Sequence, residues 1–112
     1  MVIRRGDVHW ARLTQTDGLV KRRPVLVVQA DRFNRSRIGS VLVVPLTSNT
    51  AAGEYPGNVF VPSSVSGLAR DSVVTTPEVR SLQRHEVDER IAELPLSLVR
   101  DVDRGLRLVL GL

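Results

Sequence analysis

Two apolar runs, each too short for a helix and each tipped with polar groups, limit this chain's fold more than any other feature. The first is Arg22-Arg23-Pro24-Val25-Leu26-Val27-Val28-Gln29; the second is Val41-Leu42-Val43-Val44-Pro45-Leu46-Thr47-Ser48-Asn49. Continuous apolar runs of this length, rich in β-branched residues, predict strands buried on both faces. Pro24 has no N–H for a ladder, which predicts it at the first position of its strand, with Val25–Gln29 following. Pro45 in the Ser40–Leu46 strand is expected to mark an edge or the strand's end. Laid side by side, the two strands bring a fixed cation, Arg23, to the same sheet end as the hydroxyl–amide cluster Thr47-Ser48-Asn49.

Further strands are expected over Val8–Leu13, Asn58–Pro62 and Arg90–Leu94, with one or two more across Asp71–Arg84 interrupted at Pro77. Thr14–Lys21 carries the turn signal Asp17-Gly18 and reads as a flexible loop. Ala30–Arg37 leaves room for one helical turn with Asp31 as its cap. Only the stretch from Pro95 to Leu112 has helical periodicity: Val99, Val102, Leu106 and Val109 recur at spacings of three and four, with Leu98 and Leu110 widening the stripe. Pro95 suits the first helical position. Gly105 weakens the helix by about 1 kcal/mol relative to Ala unless a neighbour packs closely there. Many short strands followed by one amphipathic helix predict a mostly β fold with α: a small, strongly bent antiparallel sheet or half-open barrel with a C-terminal helix packed on it. A parallel nucleotide-binding fold is disfavoured, because no long helix falls between the early strands.

At 112 residues the chain is expected to form a single domain spanning residues 1–112. It has no cysteine, which excludes disulfides, thiolate nucleophiles and Cys-ligated zinc. No apolar run approaches the roughly 18 residues of a membrane span, and the N-terminus lacks the apolar core of a signal peptide; a cytoplasmic protein is the expectation. The charge is unevenly placed. Residues 1–37 hold nine cations against three carboxylates, whereas residues 38–112 hold seven against nine. Fifteen of the sixteen cations are arginine, the better bidentate ligand for phosphate. Such a basic N-terminal third predicts an anionic partner.

Several chemistries are absent. No glycine-rich loop has dinucleotide or P-loop spacing, and no Gly-x-Ser-x-Gly element is present. His9 and His85 lie far apart without carboxylates at ligand spacing, so neither a metal nor a cofactor is expected. An arginine-centred site remains. RNA cleavage without metal uses the substrate's own 2′-hydroxyl as nucleophile; the enzyme neutralises charge on the phosphorane-like transition state and handles two protons. Arg23 is the candidate for charge stabilisation, and Thr47 and Ser48 can donate to the non-bridging oxygens. Arginine is a poor proton-transfer group because its pKa exceeds about 12, so a proton-transfer role for Arg23 needs a strong environmental shift or a partner such as His9 or Glu78. Arg80 has a simpler reading as well, an ion pair with Asp71 or Glu78.

The ordered set of segments resembles the MazF/PemK toxins of bacterial toxin–antitoxin systems over essentially the whole chain. The matching elements are Arg5-Gly6-Asp7-Val8, the Arg22–Gln29 run, Asp31-Arg32-Phe33-Asn34, Val43–Asn49, Ser66-Gly67-Leu68, Asp71-Ser72-Val73-Val74 and Val102–Leu110. The resemblance implies an SH3-like barrel with a C-terminal helix, assembled as a homodimer. It also implies a sequence-specific, metal-independent endoribonuclease that leaves a 2′,3′-cyclic phosphate and a 5′-hydroxyl on single-stranded RNA. The family's catalytic arginine falls on Arg23 and its catalytic threonine on Thr47. A later Gln-Leu-Arg-Thr motif corresponds to Glu78-Val79-Arg80-Ser81, retaining the arginine as a supporting group. Lys21, Arg22, Asn34, Asn49 and Ser81 then become the expected RNA contacts.

Departures from the family bear on mechanism. The Glu-Gln-Gly-Gly run of many members is Leu19-Val20-Lys21-Arg22 here, and the places where some members carry an Arg and an Asp hold Thr75 and Pro77. The resemblance further implies a cognate antitoxin whose acidic, partly disordered tail covers the basic groove. Two other readings stay open: a same-fold toxin that binds and poisons a topoisomerase, and a catalytically inactive module that binds antitoxin or RNA.

Overall fold

The computed structural model describes residues 1–112. Seven strands follow one another as β1 (Asp7–Thr14), β2 (Val20–Val27), β3 (Ser40–Thr47), β4 (Val59–Val61), β5 (Ser72–Val74), β6 (Arg80–Gln83) and β7 (Val87–Glu93). Two one-turn helices, α1 (Asp31–Asn34) and α2 (Ser63–Ser66), interrupt them, and α3 (Leu96–Leu110) ends the fold. The order across the sheet is β4-β5-β3-β2-β1-β7, with β6 added to β3. All pairings are antiparallel. The expected fold class is therefore the observed one, a half-open antiparallel barrel with a C-terminal helix.

The bend of the sheet originates in β3. Its first half, Ser40–Val43, pairs with β6, and its last residues, Leu46 and Thr47, pair with β5 on the same edge. The change of partner happens around Pro45, whose carbonyl accepts the N–H (3.0 Å) and the hydroxyl (2.9 Å) of Thr75, the residue just after β5. Pro45 thus lies inside the strand at its fork rather than at its end, one of the two places, edge or end, expected for it.

Alternation along the central strands feeds two cores. Val25, Val27, Val41 and Val43 turn inward onto Ala11, Leu13, Leu82 and Val87 inside the barrel. Leu26, Val44 and Leu46 turn outward onto Val102 and Leu106 of α3, together with Val61 and Val74. This is why both runs are apolar throughout: each face of the strand meets its own hydrophobic layer. Fully burying a Val or Leu side chain is worth about 1.5–3 kcal/mol, so the two central strands anchor both layers.

Several boundaries differ from the sequence expectation, each for a physical reason. The β1–β2 ladder runs out to Thr14↔Val20, leaving a turn closed by the Gln15 N–H to the Leu19 carbonyl (2.7 Å), so most of the supposed loop is hairpin. Pro24 is consequently the fifth residue of β2, paired with Trp10, rather than its first. It is tolerated because the β2–β3 ladder begins only at Val25↔Pro45; the N–H of Val28 faces Leu42 of β3 (3.0 Å), and the same alternation points the nitrogen of Pro24 toward β3 beyond the last paired residue. Asp31 is the first residue of α1 and Ala30 its cap. The Asp31 carboxylate instead accepts the backbone N–H of Arg5 (2.7 Å) and the Asn34 amide (3.1 Å). Pro95 occupies the cap position of α3, its carbonyl accepting the N–H groups of Leu98 and Val99. In the apolar stripe Val102 and Leu106 are buried, whereas Leu110 is 56% exposed and does not reach the core.

Gly105 has the close neighbour that its place in a helix calls for. A Cβ there would lie 2.0 Å from the carbonyl oxygen of Gly57, itself at φ +92°, and 3.1 Å from the Thr76 methyl. Gly105→Ala is expected to destabilise the protein by about 1–3 kcal/mol, as overpacking does, despite alanine's better helix propensity; chemical denaturation reads the change. A second expectation concerns Asp31, whose pKa is lowered below 3.8 chiefly by the Arg5 N–H, against a smaller opposing contribution from burial. A depressed carboxylate pKa stabilises the fold above its unfolded value, and that contribution fades as pH falls through the folded one. The stability difference between wild type and Asp31→Asn should therefore be constant near neutrality and shrink below about pH 4, measured by denaturation across pH.

Candidate active site

Pro24 ends the β2–β3 ladder, and the sheet opens there. Arg23 is in phase with Val25 and Val27, so it emerges at the mouth of the inner core. Thr47 is in phase with Val43 and Pro45 on the facing strand. Extending the observed Val25↔Pro45 register by two residues sets Arg23 opposite Thr47. Arg80, in phase with buried Leu82 and paired with Val43, comes to the same end from β6.

These side chains line a cleft of about 200 Å³ whose walls are Leu13, Gln15, Arg23, Leu46, Thr47, Glu78 and Arg80, with Pro45 at its floor. A second cleft of about 300 Å³ adjoins it, sharing Arg23 and Leu46 and lined also by Trp10, Arg22, Ser48 and Arg70. Arg23 stands between the two. Together they make a continuous depression carrying four arginines and a single carboxylate, Glu78. A larger, shallower groove of about 460 Å³ between β4 and α3 lacks this character; its charged residues, Asp101 and Arg104, are paired with each other.

The cations differ in how they are held. Arg23 is exposed and makes neither an ion pair nor a hydrogen bond within the protein, leaving all its donors for a ligand. Arg22 is committed: its guanidinium lies over the Trp10 ring, 4.5 Å from the centroid, and pairs with Glu89. Arg80 donates to the Thr14 carbonyl at 3.2 Å and pairs with neither Asp71 nor Glu78. Asp71 is used elsewhere, capping the Ser63 N–H at 2.8 Å. The Thr47 hydroxyl oxygen accepts the Asn49 N–H (3.1 Å), which leaves its own proton free to donate into the cleft.

Not every residue expected at the site reaches it. His9 is fully buried; its Nδ1 lies 2.9 Å from the Asp88 carbonyl oxygen and its Nε2 has no partner, so it lines neither cleft. Its place next to Ala11 in the inward-facing set of β1, with a register shift on either side against β7, accounts for this. Asn34 is a structural residue, 5% exposed, exchanging amide hydrogen bonds with Gln29 and reaching Asp31. Ser81 is exposed on β6 but alternates away from Arg80, outside both clefts. Asn49 faces a separate depression beside Tyr55, and Lys21 is exposed on β2 beyond the lining. Gln15, Trp10 and Arg70 are lining residues that sequence reasoning did not single out. The signal for Trp10 lay in strand pairing: it faces Pro24 across the ladder, directly beside the basic doublet.

The uncommitted Arg23 guanidinium beside a threonine hydroxyl, with further arginines lining the same depression, suits a phosphodiester, with the charge-assisted bonds such an anion draws. Comparisons agree with that chemistry. Residues 4–110 match the family described as PemK-like, MazF-like toxins of type II toxin–antitoxin systems. The chain is 46% identical to the endoribonuclease MazF6 of Mycobacterium tuberculosis H37Rv, with the whole of both chains covered. It is 30% identical to the endoribonuclease EndoA of Bacillus subtilis, covering all of this chain and 97% of that one. Its fold matches the crystal structure of MazE–MazF from Deinococcus radiodurans with a TM-score of 0.80 at 30% identity, over 100% of this chain and 99% of that one. The chain belongs to the PemK/MazF family of type II toxins.

Proposed function

We propose that this protein is a toxin endoribonuclease that cuts single-stranded RNA at specific short sequences, through attack of the substrate's own 2′-hydroxyl and without a metal ion. The observation that carries the reading is Arg23, unpaired and facing Thr47 across an open cleft, in a chain 46% identical to a protein named an endoribonuclease. In this role Arg23 and Thr47 are the catalytic pair. The scissile phosphate sits between them; Arg23 and the Thr47 hydroxyl donate to its non-bridging oxygens and stabilise the charge that builds in the transition state. Arg80 supplies a second positive wall. Arg22, Ser48 and Arg70 guide the flanking backbone through the adjoining cleft. The products are a 2′,3′-cyclic phosphate and a 5′-hydroxyl, and cutting messenger RNA in the cytoplasm arrests growth.

Residues 1–112 act as one toxin domain that assembles as a homodimer. The arginine-lined depression also suits an antitoxin with an extended acidic tail, in keeping with the MazE–MazF assembly named for the Deinococcus relative. Such a tail blocks RNA by occupying the same donors. The topoisomerase-poisoning and inactive-module readings have no observation of their own in their favour, whereas the names of the relatives favour the nuclease.

The expected outcome with purified protein is cleavage of a long, varied RNA that persists in excess EDTA. Arg23→Ala should slow it by about 10²–10³-fold, the effect of losing one preorganised donor, with an unchanged melting temperature because the side chain is exposed. End-mapping of RNA after induction reads the cut sequence and the 5′-hydroxyl ends together. A wild-type protein that cuts no such RNA defeats the proposal; growth arrest with intact RNA and trapped DNA breaks would point to the topoisomerase, and harmless expression to the inactive module.

A further inference from the structure

Glu78 is the one carboxylate among the residues lining the Arg23–Thr47 cleft, and the fold holds it there with unusual care for an exposed side chain. It ends the tight turn Thr75-Thr76-Pro77-Glu78, closed by its own N–H donating to the Thr75 carbonyl at 3.1 Å. The turn is anchored on both sides. Thr75 gives its N–H to the Pro45 carbonyl at the fork of β3, and the fully buried Thr76 gives its hydroxyl to the Gly57 carbonyl (2.9 Å). The Thr75 hydroxyl lies 2.9 Å from both the Pro45 carbonyl oxygen and Oε2 of Glu78, and its single proton serves the two. Oε1 has no partner. The carboxylate pairs with neither Arg23 nor Arg80, although both line the same cleft.

A carboxylate oriented by one oxygen and open at the other is the arrangement a general base needs. The cleft holds no other candidate: arginine does not give up its proton, the Gln15 amide does not titrate, and the one nearby histidine is sealed in the core. Resting on the nuclease reading above, we propose that Glu78 is the general base of the cleavage, with Thr75 as its positioning residue. Oε1 takes the proton of the 2′-hydroxyl while O2′ forms its bond to phosphorus. The P–O5′ bond breaks with its electron pair leaving on O5′, which takes a proton from water. Arg23 and Thr47 hold the non-bridging oxygens throughout, and Glu78 returns its proton to solvent, so no other reactant is required.

The test is the rate of RNA cleavage against pH for wild type, Glu78→Gln, Glu78→Asp and Thr75→Val, with melting temperatures to confirm folding. Glu78→Gln keeps the size and the hydrogen bond to Thr75 while removing the basic oxygen. It should lower kcat by about 100-fold or more, the usual range for a general base, leave KM nearly unchanged, and abolish the fall in rate on the acid side of the wild-type profile. Glu78→Asp should keep that acid limb at a reduced rate, which a merely structural role would not produce. Thr75→Val should lower kcat while retaining the limb. If Glu78→Gln cuts at the wild-type rate, or is slowed equally at every pH with the acid limb intact, Glu78 is not the base although the nuclease reading stands. If wild type cuts no RNA, both proposals fall together.

Discussion

The fork of β3 at Pro45 is the constraint on which the rest of the molecule depends. A strand can hold only one neighbour on each edge at a time, and β3 exchanges β6 for β5 on one edge within a few residues. That exchange bends the sheet into a half-barrel and creates two separate hydrophobic layers from a single strand. It also requires the link between β5 and β6 to cross at the fork. The link is stitched to the Pro45 carbonyl by both the N–H and the hydroxyl of Thr75. The same link delivers Glu78 to the cleft, so the bend of the sheet and the composition of the site have one cause.

A second proline completes the opening. Pro24 has no hydrogen to give β3, and the β2–β3 ladder stops beside it. Past that point the two strands are free to part, which leaves Arg23 and Thr47 facing each other across space rather than paired in a ladder. The electrostatics follow the same geometry. Two arginines remote from the cleft are held by carboxylates, Arg5 by Asp103 (2.7 Å) and Arg90 by the nearly buried Asp7 (3.1 Å). Arg23 has no such partner. An unpaired guanidinium thus stands beside a threonine hydroxyl where the ladder ends, a better marker of an anion site than the overall charge of +4.

Much of this was legible in the sequence. The two apolar runs read as doubly buried strands because each of their faces meets its own core, and the stripe through Val102 and Leu106 read as a packed helix. Arg23 and Thr47 were legible as a pair because they sit at matching distances from the ends of two adjacent strands. The places of Pro24 and Pro45 within their strands differ from the expectation for one reason. A proline's missing N–H matters only on the edge that carries a ladder, and the sequence does not say which edge that is. His9 is a site candidate by chemical type and Asn34 by the family resemblance; burial assigns the first to the inner core and turns the second's amide to Gln29.

Local pattern and composition therefore determined the element types, the mostly β class, the basic N-terminal third and the arginine–threonine pair, since each depends on residues close in the chain or on their alternation. Tertiary structure decided what depends on long-range register. It left Arg23 unpaired at the cleft, brought Glu78 and Arg80 from beyond residue 75 to strands formed before residue 50, and required a glycine at position 105, where a Cβ would meet the Gly57 carbonyl 48 positions earlier in the chain. Hydrogen-bond geometry across strands far apart in sequence has no signature in either segment alone, which is why the cleft appears only when the sheet closes.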